Sequence, residues 1–376
     1  MSQRIYRGLG SISKLIQILE ECNSKNVFLV TGKKSFFLSG AEKVLEPLLN
    51  RFNIIRFEDF EINPTFEDAV KGTLIAKKNN IDTIVSIGGG SVIDIAKIIL
   101  AFIEPNQNFH AIVTGDEIPK NSKIPHFSIP TTAGTGSEST HFAVVYLNKK
   151  KYSIAAPYLL PNSAILDGEL FISNSSFQKA INGLDALAQA IESHWSNKST
   201  EESRQYSRKA IPHLYKNLPK IVFDKADKND YQNFIYASNL AGRAINISKT
   251  TSPHAFSYAF TSKYGIPHGQ AVWLTLPKIF RIHLNTIKSN NFNGKDYDQF
   301  HFLLHEIIGL MGISKKNLER NFEDFLSSLG VEYSMDKLGV NTKLKRKEIA
   351  KNVNQERLKN NPVFFSRDNI NEIFNL

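Results

Sequence analysis

The sequence predicts a two-domain protein in which an α/β domain with a parallel sheet precedes an all-helical domain. In the first half, short β-branched runs alternate with stretches of helical apolar spacing, a pattern typical of a parallel α/β layer. From Ser173 onward the apolar spacing is helical. The length of 376 residues also exceeds what one ordinary core accommodates. We therefore place an α/β domain at residues 1–170 and a helical domain at residues 171–376.

Apolar runs in the first half are predicted as strands, and the periodic stretches between them as helices. The predicted strands are NVFLVTG at 26–32, the run NIIRF, and DTIVSI at 82–87. The predicted helices span 41–52, with apolar positions at Val44, Leu45, Leu48 and Leu49, and 66–77. Two further strand-like runs in KKYSIAAPYLLPNSAILD are expected to close the α/β part near Asp167.

In the second half, helical spacing begins with a long apolar stripe. The stripe advances in steps of three and four residues and consists of Phe177, Ile181, Leu184, Leu187, Ile191 and Trp195. Similar spacing covers residues 201–216, 231–247, 254–263 and 300–311, and the polar stretch KSNNFNGKDYDQ at 288–299 is expected to be a loop.

Composition restricts the compartment and the kinds of site. The single cysteine, Cys22, allows neither a disulfide nor a thiolate metal cluster, and it fits a reducing compartment. The opening residues MSQRIYRGLGSISKL lack the apolar core of a signal peptide, and no apolar run is long enough to cross a bilayer. We expect a cytoplasmic protein with no membrane partner.

The net charge of +10 and the pI of about 9.3 suggest anionic partners. The lysines are scattered through turns and through KLKRKEIAK, without a zinc finger or a basic patch interleaved with aromatic residues. A solvated surface explains them, so we expect no nucleic-acid partner, while attraction of a small anionic substrate stays open. The rival hypothesis is a non-catalytic nucleic-acid-binding protein, which predicts strongly salt-dependent binding of DNA or RNA.

A glycine-rich turn follows the strand at 82–87, in GGGSVIDIAK. Gly88, Gly89 and Gly90 lack side chains where the strand turns into a helix, so the backbone can approach a pyrophosphate while amides from Ser91 onward point at it. The motif is not the GxGxxG fingerprint, and a tight strand-to-helix turn is the alternative reason for the glycines.

A second loop, in HFSIPTTAGTGSEST, is rich in hydroxyl groups. Thr131, Thr132, Thr135 and Ser137 are candidates to line a ribose or a nicotinamide. Capping of the turn is the alternative role for each of them.

The segment PHAFSYAFTSKYGIPHGQ is the candidate for a metal site. His254 and His268 stand fourteen residues apart, nearly four helical turns, so they meet one ion only if the helix ends between them. Gly265 and Pro267 provide that break. A hydrogen-bonded role in the core is the alternative for either histidine.

Further donors precede this segment in NGLDALAQAIESHW. Asp185 and Gln189 stand at i and i+4, on one face of a predicted helix. One carboxylate, two imidazoles and an amide oxygen match the donors of a divalent metal site with an open position.

These motifs together resemble the iron-containing (group III) alcohol dehydrogenase family. The matching segments are Asn63-Pro64-Thr65, GGGSVIDIAK, PTTAGTGSE, AILDGEL, GLDAL, the stretch from His254 to His268, and NNPV at Asn360, in the family's order over nearly the whole chain. The resemblance implies a dinucleotide-binding α/β domain, a helical metal-binding domain, and a cleft between them where hydride passes between nicotinamide and a carbonyl carbon. It also implies a homodimer.

The resemblance assigns roles to residues of both domains. The cofactor residues that it implies are Gly88, Gly89, Gly90, Ser91, Asp94, Thr131, Thr132 and Thr135. The metal ligands that it implies, for iron or zinc, are Asp185, His254 and His268.

Cofactor preference is expected from the end of the first predicted strand. NAD-preferring relatives often carry an Asp there, which binds the ribose hydroxyls and repels a phosphate. This chain has Gly32, followed by Lys33, Lys34 and Ser35. Loss of the carboxylate permits a 2′-phosphate and nearby cations favour it, so NADP(H) is expected over NAD(H).

Two positions depart from the family pattern. Gln189 stands where the family usually has His, and Tyr258 stands where it commonly has a second His, four residues after His254. A Gln oxygen is a poorer ligand than imidazole for iron or zinc, which predicts weaker metal binding or a different metal. Tyr258 is a candidate proton relay, with packing as its alternative role.

The segment INISKTTSPHAFSYAFTSKYGIPHG, with Gln189, resembles the branch that reduces phosphonoacetaldehyde to 2-hydroxyethylphosphonate. Lys249, Thr250 and Thr251 are then candidates to bind the anionic group, with capping as the alternative for Lys249. One alternative function is oxidation of the terminal hydroxyl of an acidic sugar, as in a 3-deoxy-octulosonate 8-oxidase. Another is a sugar phosphate cyclase related to dehydroquinate synthase, against which Asp185 argues because cyclases normally have Glu as first ligand.

Overall fold

The computed structural model describes residues 3–286, 292–294, 296–353 and 355–376. The strands are β1 (Arg4–Arg7), β2 (Asn26–Thr31), β3 (Asn53–Phe57), β4 (Thr83–Gly88), β5 (His126–Pro130), β6 (Phe142–Leu147), β7 (Lys150–Ala155) and β8 (Ser163–Leu166). The helices of the first half are α1 (Lys14–Glu21), α2 (Ser35–Leu38), α3 (Ala41–Leu49), α4 (Phe66–Lys78), α5 (Gly90–Phe102) and α6 (Phe109–Thr114). Those of the second half are α7 (Ser176–Trp195), α8 (Glu201–Val222), α9 (Lys228–Ser248), α10 (Ser252–Tyr264), α11 (His268–Trp273), α12 (Leu276–Asn285), α13 (Tyr297–Met311), α14 (Leu318–Ser328), α15 (Lys343–Lys351), α16 (Gln355–Lys359) and α17 (Arg367–Phe374).

A six-stranded parallel sheet organises the first half, in the order β1-β8-β5-β4-β2-β3. Both faces of the central strands are buried: Val27 and Leu29 belong to one apolar cluster, whereas Phe28 and Val30 belong to another. Burial on both faces explains why these strands read as continuous apolar runs rather than alternating ones. The predicted α/β domain with a parallel sheet, followed by helices, is confirmed.

The two strand-like runs expected to close the α/β part belong to different sheets. β8 joins the sheet between β1 and β5. β7 instead pairs with β6 in a separate antiparallel hairpin, so both predicted runs are strands but only β8 belongs to the parallel sheet. Asn148 and Lys149 form the turn with φ of 50° and 62°, the left-handed pair that matches the twist of a two-residue hairpin.

Two residues of the predicted apolar stripes face solvent. Phe177 is 51% exposed, because the first turn of α7 buries Lys179 and Ala180 instead. Val44 is 42% exposed, while Ala41 and Leu45 cover the buried face of α3. The side chain of Leu48 lies outside the described residues, as do residues 288–291 and 295 of the predicted loop, of which 297–299 begin α13.

The chain divides into two compact units. The first contains Met1–Asn174 and Asp227–Asn239, and the second contains Ser175–Ala226 and Leu240–Leu376. The first part of α9 thus belongs with the sheet, whereas the domain limits predicted above place it with the helices. The start of α9 belongs with the first unit because it packs closely on Gly168. A Cβ on Gly168 would lie 2.6 Å from the Gln232 Cα, and Gly168 N donates to Gln232 Oε1 at 2.9 Å. Among the described residues, each helix is too short or too polar to span a membrane.

Candidate metal and cofactor sites

One face of α7 carries three buried polar side chains. Asp185, Gln189 and Glu192 are 5%, 4% and 0% exposed. Their positions i, i+4 and i+7 share one side of the helix. The first two are predicted metal donors, and Glu192 is a third group that the same spacing contains. Buried carboxylates need partners, so the segments packed on this face decide their roles.

The chain turns back between the two histidines, as expected. After α10, Gly265 adopts a left-handed φ of 67°, and Pro267 caps α11, which begins at His268. The ring centroids of His254 and His268 are consequently 5.2 Å apart. Asp185, His254 and His268 each offer one ligand atom, and these atoms lie within 4.8 Å of one another.

Close packing of α11 on α7 sets the position of His268. An added Cβ on Gly269 would overlap the carbonyl oxygen of Ile181 and lie 3.1 Å from the Asp185 backbone nitrogen. Trp273 Nε1 donates to Leu184 O at 2.8 Å, one helical turn further along. The residue after His268 must therefore be a glycine for the ring to approach Asp185 this closely.

His254 lies between two carboxylates. Its Nε2 is 3.2 Å from Asp185 Oδ1, and its Nδ1 hydrogen-bonds to Glu192 Oε1. Burial lowers the pKa of His254, but the charges of Glu192 and Asp185 outweigh burial and raise this pKa to about 10. Burial raises the pKa of Asp185, yet its hydrogen bond with His254 and the nearby His268 bring that pKa below its usual value.

Thr251 completes the surroundings of Glu192. Glu192 Oε2 accepts hydrogen bonds from Thr251 N at 2.7 Å and from Thr251 Oγ1 at 2.8 Å. Thr251 Oγ1 in turn accepts from Trp195 Nε1 at 3.0 Å. Because this hydroxyl is fully buried and engaged inside the protein, the prediction that Thr251 offers it to an anionic substrate is wrong.

Two further residues that the sequence analysis singled out, Tyr258 and Gln189, also lie at the cluster. The Tyr258 ring stacks on His268 at a centroid distance of 5.8 Å and an interplanar angle of 9°. Ser257 Oγ lies 3.3 Å from His268 Nδ1. A hydrogen bond with the Gln189 side chain also helps to lower the pKa of Asp185. The structure thus gathers both residues around the predicted ligands.

Lys249 follows α9 in a left-handed conformation with φ of 59° and is half-buried. Asn360 Nδ2 donates to the carbonyl oxygens on either side of it, at 2.8 Å to Ser248 O and 3.0 Å to Thr250 O. A left-handed conformation costs a lysine roughly 1–2 kcal/mol, and these two bonds hold the backbone in it. Anion binding by Lys249 stays a prediction.

In the first unit, the glycine turn at residues 88–90 faces the loop at residues 131–137, which is called the threonine loop below. A Cβ on Gly89 would lie 3.3 Å from the Thr132 side chain, and one on Gly90 would lie 2.8 Å from Thr135. Thr131 N donates to Gly88 O at 3.0 Å, which ties the two loops together. Close packing against these two threonine side chains therefore favours glycine at both positions. Gly89 is the N-cap of α5 and leaves the amides at the start of the helix clear of a capping side chain.

Ser91 and Asp94 make contacts within the protein. Ser91 Oγ accepts a hydrogen bond from Asn63 N at 3.2 Å, and Asp94 Oδ2 accepts one from Val144 N at 3.0 Å. The carboxylate thus fixes the β6–β7 hairpin to α5. Cofactor contact by Ser91 and Asp94 stays a prediction.

Lys97 is a functional candidate that the sequence reasoning missed. It is fully buried, and its ammonium donates to the carbonyl oxygens of Thr140 at 2.7 Å and Phe142 at 3.0 Å, and to Ser137 O. Burial lowers the pKa of Lys97 to about 8 against the charge of Asp94. Lys97 holds the threonine loop against the helix that begins at the glycine turn.

Residues after β2 lie beside the same turn. A Cβ on Gly32 would be 3.6 Å from Val92 Cγ2, which also contacts the Gly88 position, and Ser35 Oγ fills the space beside Gly32. The exposed Lys33 pairs with Asp59 at 3.0 Å. Arg56, which the sequence analysis did not single out, donates from Nε to Thr31 Oγ1 at 2.9 Å, at the end of β2.

Comparison with known proteins gives the family. Residues 2–168 match the iron-containing alcohol dehydrogenase family, and residues 179–376 match the C-terminal domain of the Fe-containing alcohol dehydrogenase family. The chain belongs to the iron-containing alcohol dehydrogenase family. It is accordingly an oxidoreductase that acts on alcohols with NAD, and its family uses iron or another divalent metal.

Several relatives are similar over different shares of the chain. Long-chain-alcohol dehydrogenase 1 of Geobacillus thermodenitrificans is 28% identical over 275 residues, 72% of this chain and 70% of that protein. The aldehyde-alcohol dehydrogenase of Streptococcus pneumoniae serotype 4 matches 84% of this chain but only 37% of its own length. Phosphonoacetaldehyde reductase of Streptomyces viridochromogenes is 33% identical over 210 residues, 53% of either protein.

Among solved structures, sulfoacetaldehyde reductase of Bifidobacterium kashiwanohense in complex with NAD+ superposes with a TM-score of 0.88. It is 27% identical, and the match covers 99% of this chain and 96% of that one. The iron-containing alcohol dehydrogenase of Thermococcus thioreducens superposes with a TM-score of 0.84 at 26% identity, over 99% and 97% of the two chains.

The side chains present in the helical unit fit a divalent metal. A buried carboxylate and two imidazoles are ligands that iron and zinc accept, and three protein ligands leave a position open for chemistry. Glu192 bonds the far nitrogen of His254, as carboxylates behind metal-binding histidines do.

Proposed function

We propose that this protein reduces a small anionic aldehyde with NAD(P)H at a divalent metal site, and that the best substrate is phosphonoacetaldehyde, which gives 2-hydroxyethylphosphonate. The observation that carries the proposal is the cluster of Asp185, His254 and His268. Two relatives support the substrate class, because phosphonoacetaldehyde and sulfoacetaldehyde are both two-carbon aldehydes with an anionic group. Sulfoacetaldehyde is the second candidate, supported by similarity over nearly the whole chain.

Residues of the helical unit have distinct roles in this proposal. Asp185, His254 and His268 would hold the ion, with Gln189 as an additional donor. A bound divalent ion supplies a Lewis acid for the aldehyde oxygen. Tyr258, whose ring stacks on His268, is the proposed proton relay through its hydroxyl.

Lys249 is the proposed contact for the anionic group. It lies five residues before His254, in a backbone segment whose carbonyl groups are held by Asn360. Each charge-assisted hydrogen bond contributes about 1.5–3 kcal/mol, which exceeds what the small apolar area of a two-carbon aldehyde provides. Its positive charge therefore accounts for a preference for anionic over neutral aldehydes.

For the α/β unit we propose that Gly88, Gly89, Gly90 and Ser91 bind the pyrophosphate and that NADP(H) is preferred. Gly32 supplies no carboxylate to repel a 2′-phosphate, and the exposed ammonium of Lys33 lies next to it in the chain. We further propose a cytoplasmic homodimer, by analogy with the family. Light scattering of the purified protein tests the dimer.

The experiment compares phosphonoacetaldehyde, sulfoacetaldehyde, an acidic sugar alcohol and propanal, each with both cofactors. We expect the highest kcat/KM for phosphonoacetaldehyde with NADPH. Lys249→Ala should lower kcat/KM for the anionic aldehydes by about ten- to a hundredfold and leave propanal almost unaffected. Lys263→Ala on α10, whose ammonium pairs with Glu348, is the matched control and should change neither.

Equal loss on propanal and on the anionic aldehydes would show that Lys249 supports the structure instead. A higher kcat/KM with NADH would contradict the cofactor preference while leaving the substrate proposal in place.

A further inference from the structure

Glu192 is a fully buried carboxylate with a partner on each oxygen. Oε1 bonds His254 Nδ1, while Oε2 accepts from Thr251 N and Thr251 Oγ1. A buried charge of this kind is retained only when its hydrogen bonds are complete.

The hydrogen-bond partners on both sides of this carboxylate need an acceptor. Thr251 N is a backbone donor and requires an acceptor. His254 must also donate from Nδ1 if its Nε2, the nitrogen 3.2 Å from Asp185, is to present a lone pair to an ion. Glu192 therefore has to accept on both sides at once.

We propose that Glu192 is the positioning residue that fixes the tautomer and orientation of His254 as a metal ligand, and that only a carboxylate can do so at this position. The inference rests on the proposed metal site. Glu192 touches neither substrate nor cofactor in this role and acts through His254.

The isosteric variant Glu192→Gln shows why a carboxylate is needed. If the amide oxygen faces His254, the amide NH2 meets Thr251 N–H, and two donors oppose each other. If the amide turns round, its NH2 faces Nδ1, which must then accept, and the ring carries its hydrogen on Nε2, where the ion would bind. Either orientation impairs metal binding without changing the volume of the core.

The test measures metal affinity directly. Metal-free protein is titrated with Zn²⁺ against a competing chelator, and the absorption spectrum of the Co²⁺-loaded protein reports ligand geometry. We expect Glu192→Gln to weaken Zn²⁺ binding by about ten- to a hundredfold and to alter the Co²⁺ spectrum, with unchanged NAD(P)H binding. Ser193→Ala is the matched control, because Ser193 is equally buried on α7 and bonds only Ala190 O among its described hydrogen bonds.

A second variant keeps the test decisive if Glu192→Gln does not fold. Thr251→Val removes one of the two donors to Oε2 and should weaken Zn²⁺ binding by a few-fold, in the same direction. Wild-type affinity in Glu192→Gln, or an equal loss in Ser193→Ala, would overturn the role of Glu192. If the unmodified protein binds no divalent metal at all, the proposed metal-dependent function fails instead. Because no substrate is present in the titration, the result does not depend on which aldehyde the protein reduces.

Discussion

Gly269→Ala tests whether close packing of α11 on α7 creates the metal site. The added Cβ would overlap the Ile181 carbonyl oxygen, 3.0 Å from its carbonyl carbon and 3.1 Å from Asp185 N. These are backbone atoms inside a helix, so no side-chain rotation relieves the overlap. α11 must move away by about 1 Å, as overpacked cores do when the backbone absorbs an added group. His268 precedes Gly269 and moves with it.

The consequence differs between stability and metal binding. Overpacking costs about 1–3 kcal/mol, which leaves a protein of this size folded. Metal–ligand distances, however, tolerate only about 0.2 Å, so a shift of about 1 Å in one of three ligands removes most of the affinity. We expect Zn²⁺ binding to weaken by at least about a hundredfold, because losing a supporting residue costs up to about a hundredfold and losing a ligand costs more.

The assay is chelator competition with metal-free protein, alongside thermal unfolding. Gly309→Ala is the control, because Gly309 lies within α13 and an added Cβ there meets no described atom within 4 Å. This control should bind metal normally and gain about 0.5–1 kcal/mol of stability. Wild-type metal affinity in Gly269→Ala would refute the reasoning.

Two other predictions concern stability. Arg346→Ala should lower the free energy of unfolding by about 3 kcal/mol, because the buried guanidinium donates to Val340 O and to the carbonyl oxygens of Phe374 and Asn375. Arg320→Ala is the control: it removes an exposed ion pair with an N–O distance of 3.9 Å and should change the free energy of unfolding by less than about 0.5 kcal/mol. Equal losses of stability in the two variants, measured by urea unfolding, would contradict the prediction. Burial lowers the pKa of His194 to about 4 in the folded state, below the unfolded value of 6.5, so only the unfolded state gains a proton as the pH falls between these values. The free energy of unfolding should therefore fall by up to about 3 kcal/mol from pH 6.5 to 4. In His194→Gln, unfolding measured over the same pH range should show a decrease smaller by about that amount.

The sheet was predictable because its central strands are buried on both faces. Continuous apolar runs such as residues 26–31 and 83–88, when helical stretches separate them, are typical of strands in a parallel sheet that is covered on both sides. β1 escaped detection because RIYR is short and has charged ends, as suits a strand at the edge of the sheet. The pairing of β6 with β7 was not predicted, because apolar alternation is the same in parallel and antiparallel pairings and a left-handed Lys149 has no signature in the sequence.

The metal cluster was predictable because its signals are local. Spacing placed Asp185 and Gln189 on one face, and Gly265 with Pro267 marked the break. Glu192 satisfies the same spacing, but the sequence does not say which helix face meets α10. The role of Lys97 was not predicted for another reason. Lysines are almost never fully buried, so its place in GGGSVIDIAK did not indicate that its ammonium holds a loop.

Glu192 links the metal site to the segment proposed to bind the anion. One oxygen holds His254, and the other holds Thr251, which stands two residues after Lys249 and three before His254. Asn360 holds the other end of this segment through the Ser248 and Thr250 carbonyl groups. The backbone from Ser248 to His254 is therefore fixed at both ends, and the distance from the Lys249 backbone to the metal ligand is fixed with it. A substitution that reshapes this segment cannot change anion selectivity alone, because any shift of Thr251 also disturbs the carboxylate that orients His254.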